Sequence, residues 1–121
     1  MNGKGLLGRR GEDVALDYLQ QRGLQLVCRN WRSGHLEVDL IMEDYRSVRI
    51  VEVKTLQAGD GFDPSDNVTA DKRRKLIRAA KAYYAMNPTY KEVLFDVVTV
   101  LFDNQDVVEV KYMPRAFDAL G

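Results

Sequence analysis

Cysteine and histidine are almost absent from this chain. Cys28 and His35 are the single examples of each among 121 residues. One cysteine excludes an intrachain disulfide framework and fits a reducing compartment, the cytoplasm. One Cys and one His cannot build a protein-supplied tetrahedral zinc site. No apolar run approaches the roughly 20 residues needed to span a bilayer. Met1 to Arg10 carries two leucines among glycines and basic residues, which is no secretory core segment. Phosphate-loop glycines are missing, which removes the commonest nucleoside-triphosphatase reading. Net charge is lacking too: 18 basic residues balance 18 acidic ones. A uniformly basic nucleic-acid binder is therefore excluded.

What is present is a soluble globular composition, 45% hydrophobic and 30% charged. The length suits one domain, residues 1–121, with a genuine core. The charge is unevenly spread. Lys72 to Lys81 holds six basic residues and no acid, and Glu92 to Glu109 holds five acids and no base. A dipolar protein of this kind can still turn a basic face to phosphate.

The spacing predicts a helix from Leu6 to about Arg22, with Val14, Ala15, Tyr18 and Leu19 as its apolar stripe. Glu12 borders that stripe, and Gly23 closes the helix. A first strand is expected over Leu24 to Arg32, with Leu24, Leu26 and Cys28 alternating inward. Trp31 reads as a core residue or a nucleotide clamp beside Arg29 and Arg32. A second helix is expected from Ala70 to Met86, capped by Thr69 and stopped before Asn87-Pro88. Gln57 to Asn67, with two Gly, one Pro and three Asp, reads as a connection. Val93 to Phe102 reads as a buried strand interrupted by Asp96, which must be hydrogen-bonded or adjoin an acidic site. Val107 to Tyr112 reads as a last edge strand, and the tail from Met113 as free of chemistry.

The most informative stretch lies between the helices. Leu36 to Ile41 and Arg49 to Lys54 are β-branched runs with charges at alternate positions, joined by the polar Glu43 to Ser47. Side chains alternate faces along a strand, so Glu37 shares a face with Asp39, and Glu52 with Lys54. A hairpin centred on Tyr45 brings Asp39 close to Val51 and Glu52. Two carboxylates and an ammonium then converge, an arrangement suited to a hard divalent cation and phosphodiester chemistry. The same pattern also fits a half-exposed hairpin with cross-strand salt bridges. His35, in the turn before it, is a proton shuttle or a bystander. On the second helix, Arg74, Lys75, Arg78 and Lys81 line one face that could meet phosphate. The element order is α-β-β-β-α-β-β, an α/β fold with a mixed sheet flanked by helices. The helix between the third and fourth strands predicts a parallel crossover.

Several of these segments match a known pattern. They are Gly8-Arg9-Arg10-Gly11-Glu12, Tyr18-Leu19, Gly23, Arg29-Asn30-Trp31, Glu37-Val38-Asp39-Leu40-Ile41, Val51-Glu52-Val53-Lys54, Val68-Thr69 with Lys72, and Phe95-Asp96-Val97-Val98. In them the chain resembles the bacterial YraN-like family, relatives of the archaeal Holliday junction resolvases in the restriction-endonuclease-like superfamily. The resemblance implies a restriction-endonuclease-like fold and a metal-dependent nuclease signature on Glu12, Asp39, Glu52 and Lys54. It implies Mg²⁺ or Mn²⁺ on Asp39 and Glu52, charge stabilisation by Lys54, and Glu12 completing or orienting the shell. The expected partner is nucleic acid, DNA of branched or otherwise structured form, contacted by Arg9, Arg10, Lys72, Arg74, Lys75, Arg78 and Lys81. A homodimer is compatible with this reading, and a membrane is not expected. The alternative is a nuclease-fold module that binds nucleic acid or protein without cutting. The chain departs from the family's usual pattern at Leu36, Leu56 and Leu94, where glycine, a base and arginine are common.

Overall fold

The computed structural model describes residues 5–59 and 68–119. The connection expected over Gln57 to Asn67 therefore lies mostly outside the described residues. The elements are α1 (Leu6–Gln21), β1 (Gln25–Ser33), β2 (Leu36–Glu43), β3 (Ser47–Gln57), α2 (Ala70–Met86), β4 (Glu92–Asp103) and β5 (Asp106–Phe117). They follow the order α-β-β-β-α-β-β expected from the sequence.

Local chemistry sets the boundaries. α1 ends where Gly23 takes φ 94°, a left-handed conformation that glycine adopts without a Cβ penalty. Gly23 N–H then reaches Gln20 O at 3.0 Å and Leu24 N–H reaches Leu19 O at 3.2 Å, closing the last turn. α2 begins at Thr69, whose hydroxyl accepts the Lys72 N–H at 3.1 Å. The β2–β3 turn is held by Asp44, whose Oδ1 accepts from Arg46 N at 2.8 Å, Ser47 N at 2.7 Å and Ser47 Oγ at 3.0 Å. Burial pushes the Asp44 carboxyl up, and the Arg46 and Ser47 donors outweigh it, leaving the group below its ordinary range.

The five strands form one sheet whose spatial order is the chain order, β1-β2-β3-β4-β5. β3 and β4 are parallel, joined through α2, and the other neighbours are antiparallel. Each face carries one helix. On one side Ala15 and Leu19 of α1 pack on Leu40, Met42, Val51, Val98 and Phe102. On the other, Leu76 and Ala79 of α2 pack on Val38, Ile41, Ile50, Phe95 and Val97. Ile50 and Val51 fall on opposite sides, as strand alternation requires. Among the described residues, no helix is long and apolar enough to cross a membrane.

Two expectations need correction, and for Trp31 the core reading holds. Leu26 and Val27 are both exposed, and the register slips between Leu26 and Cys28, so β1 does not alternate as its residues suggest. β1 is a sheet edge, and a bulge there turns side chains outward. β5 runs to Phe117 rather than Tyr112, and Phe117 stacks on Phe95 with centroids 5.0 Å apart, so the tail is part of the sheet. Trp31 packs edge-on against Tyr83 of α2, which settles it as a core contact.

Candidate functional site

The β2–β3 ladder runs from Glu43↔Val48 to Leu40↔Val51 and stops. The next residue on β2 is Asp39, and the next on β3 is Glu52. Here the strands part, and a side chain replaces the ladder: Asp39 Oδ2 accepts the Val53 N–H at 2.8 Å. Asp39 is 8% exposed, so its carboxylate is held at the mouth of the splay rather than in bulk water. The centre of the hairpin near Tyr45 is as the sequence predicts. The point at which pairing stops is new.

Val51 and Val53 belong to the α1-side cluster, so Glu52 and Lys54 alternate onto the α2 side. The contact of Glu52 agrees: its Oε2 lies 3.7 Å from Lys72 Nζ in the first turn of α2. Lys54 pairs with Thr99 in the parallel ladder.

Glu12 approaches from the other helix. It is 2% exposed, and its Oε1 lies 3.6 Å from Arg29 Nη2, which also meets Asp13 Oδ1 at 2.8 Å. Arg29 stands on β1 opposite Leu40, one residue from Asp39. α1 comes this close because Gly11 has no side chain: a Cβ there would meet Thr55 Cβ of β3 at 3.1 Å. The structure thus brings Asp39 onto the Val53 amide between Glu52 and Lys54, and ties Glu12 to β1 through Arg29. Arg29 as a tether for Glu12 was missed in the sequence. Its only signal was its place in the Arg29-Asn30-Trp31 match.

The basic residues separate into groups. Arg9 is exposed, whereas Arg10 donates to Gln105 O at 2.8 Å and lies over the Phe102 ring, clamping α1 to the β4–β5 turn. Arg74 and Lys75 face Asp71 at 3.6 and 3.4 Å. The expectation of six bases without an acid to pair with is corrected by this residue, which directly precedes the run. Arg78 and Lys81 are exposed, and Arg73 turns inward to Val68 O.

Asp96 is a structural acid. Arg49 Nη1 reaches it at 3.2 Å, Tyr112 Oη at 2.6 Å and Arg115 N at 3.0 Å. His35 is exposed in the β1–β2 turn. A cavity of about 460 Å³ lies elsewhere, among Arg73, Glu92, Phe95, Arg115 and Phe117.

The family model described as Uncharacterised protein family UPF0102 matches residues 11–100. The chain belongs to UPF0102. The matched span holds Glu12, Asp39, Glu52, Lys54 and all of α2. A UPF0102 protein of Bacteroides fragilis is 38% identical over 114 residues, covering 90% of this chain and 94% of that one. One from Porphyromonas gingivalis is 39% identical, covering 93% and 84%. One from Chloroherpeton thalassium is 34% identical and covers 99% of both chains. Among solved structures the chain is similar to Hjc, a Holliday junction resolvase from the archaeal hyperthermophile Archaeoglobus fulgidus. The TM-score is 0.50 at 15% identity, over 88% of this chain and 76% of that one. The likeness is one of fold: a nuclease-like mixed sheet with flanking helices.

The donor set at the splay is chemically hard. Asp39 and Glu52 offer carboxylate oxygens, the ligand type of Mg²⁺ and Mn²⁺. Among the described residues no group of three or more His, Cys, Asp or Glu side chains forms a cage. Mg²⁺ commonly takes one or two carboxylates and completes its shell with water and substrate phosphate. Asp39 and Glu52 are of the ligand type that such an ion takes.

Proposed function

We propose that this UPF0102 protein is a Mg²⁺- or Mn²⁺-dependent endonuclease-like hydrolase of phosphodiesters in branched or otherwise structured DNA. The observation that carries the reading is the end of the β2–β3 ladder, where Asp39 and Glu52 succeed the last pair and Asp39 caps the Val53 amide. Asp39 and Glu52 would hold the metal. When bound, the ion supplies charge neutralisation and lowers the pKa of water. Lys54 follows Glu52 on the same strand face and offers an ammonium to charge developing on phosphate. Glu12 lies on the α1 side, 3.6 Å from Arg29, and would orient the shell indirectly, through Arg29 and β1. The exposed Arg78 and Lys81, with Arg9 and Lys72, give the backbone of DNA its counter-charges. Arg74 and Lys75 share theirs with Asp71. The likeness in fold to a Holliday junction resolvase favours branched substrates.

The test is a gel assay on four-way, flapped and linear DNA with Mg²⁺ or Mn²⁺. Asp39→Asn should abolish cleavage and keep binding, because it removes the charge that holds the ion and one repulsion towards phosphate. Lys54→Ala should lose cleavage and bind more weakly. In the same assay Arg78→Glu with Lys81→Glu should weaken binding and flatten the salt dependence by about two counter-ions. Should the wild type bind every substrate and cut none with either metal, the nuclease reading is wrong. A non-cutting module would then remain.

A further inference from the structure

We infer that Lys72 is a removable counter-ion of Glu52: its ammonium stands on the carboxylate until a divalent cation arrives, then turns to the DNA phosphate. This rests on the metal role proposed for Glu52 and adds a residue that couples metal uptake to substrate binding.

The geometry of this pair points to it. Lys72 Nζ lies 3.7 Å from Glu52 Oε2, longer than the roughly 2.8 Å of a tight charge-assisted hydrogen bond. The contact is therefore Coulombic and loose. The Lys72 side chain is 41% exposed and that of Glu52 14%, so the cation has solvent to move into and the anion does not. The backbone of Lys72 is fixed, because its N–H is bonded to Thr69 Oγ1. Only the flexible four-carbon stem has to swing, and a lysine ammonium is a point charge with no forked geometry to lose. Arg49 on Asp96 is the contrast. That acid is fully buried and cross-bonded by Tyr112 and Arg115, and nothing there can exchange.

Exchange follows from charge. An ammonium and a divalent ion seek the same carboxylate, and each repels the other at a few ångströms. Once the ion sits on Glu52, the Lys72 charge is released on the side of the sheet from which α2 presents its bases. Metal and DNA then favour each other's binding, as linkage requires.

The probe is Mn²⁺, titrated by electron paramagnetic resonance into wild type and Lys72→Met without DNA, with melting curves confirming that both fold. Lys72→Gln is the second variant if methionine disturbs the surface. Lys72→Met should bind Mn²⁺ roughly tenfold more tightly, since a competing positive charge has gone. A Lys72 that only staples α2 to the sheet would give equal or weaker Mn²⁺ binding on its removal. The second readout is DNA binding against salt. Lys72→Met should lower the slope by about one in Ca²⁺, and leave it unchanged without a divalent ion. Unchanged Mn²⁺ affinity, or a slope change indifferent to Ca²⁺, overturns the inference and leaves the nuclease reading standing. No Mn²⁺ uptake by the wild type overturns both. Tighter Mn²⁺ binding with no cleavage of any substrate keeps the exchange and rejects the nuclease.

Discussion

Gly11 shows how a missing side chain can place a functional one. It lets α1 sit on Thr55, and so brings its neighbour Glu12 to Arg29. Gly11→Ala sets two effects against each other. Helix propensity gains about 1 kcal/mol. Overpacking a close contact costs about 1–3 kcal/mol. Rotation of Thr55 relieves only the hydroxyl part of the clash, because its Cβ at 3.1 Å must also give way. The clash should win, and the melting temperature should fall by about 3 °C or more. An equal or higher value would mean that the helix lifts off at no cost.

At the scale of elements, the Asp96 cluster ties three strands together: Arg49 from β3, Asp96 from β4, and Tyr112 and Arg115 from β5. Burial, and then the Asp96 carboxylate, push the Tyr112 phenol well above its ordinary value. A raised phenol pKa means the fold favours the protonated ring. That contribution is complete below the unfolded value of about 10 and is lost as pH rises towards the folded one. Tyr112→Phe should therefore cost about 1–3 kcal/mol at pH 8, through the lost donor to a buried carboxylate. The gap between variant and wild type should narrow at pH 11. Urea unfolding at the two pH values measures it, and a constant gap would remove the phenol from the alkaline response. The sequence left Asp96 hydrogen-bonded or beside an acidic site, and its partners were not legible: Arg49 comes from across α2, and Tyr112 and Arg115 are set by the β4–β5 register. Thr69, Gly23 and the Tyr45 turn were legible, because each is local chemistry. β1 misled because its apolar residues sit on an edge, where a bulge overrides alternation. The Lys72–Glu52 pair was hidden for another reason: it depends on how α2 crosses the sheet.

For the whole molecule, the α-β-β-β-α-β-β order was readable from periodicity and turn residues, and the parallel β3–β4 pairing followed from the intervening helix. That Asp39 and Glu52 would fall at matching positions of β2 and β3 was readable from the hairpin's centre of symmetry. Their splay was not, since no residue pattern marks where a ladder stops. The spatial order of the strands, identical to their order along the chain, carries a kinetic consequence. Three of the four ladders join chain neighbours through short turns, whereas β3–β4 joins Val51 to Asp96 across the whole of α2. Loop-closure entropy therefore falls on a single seam. In pulse-labelling hydrogen exchange during refolding, amides bonded across β2–β3 and β4–β5 should gain protection before those across β3–β4. Simultaneous protection would show that the seam nucleates with the hairpins. In the expected order, the pairing that ends at Asp39 and Glu52 forms early, and α2 brings Lys72 to Glu52 late.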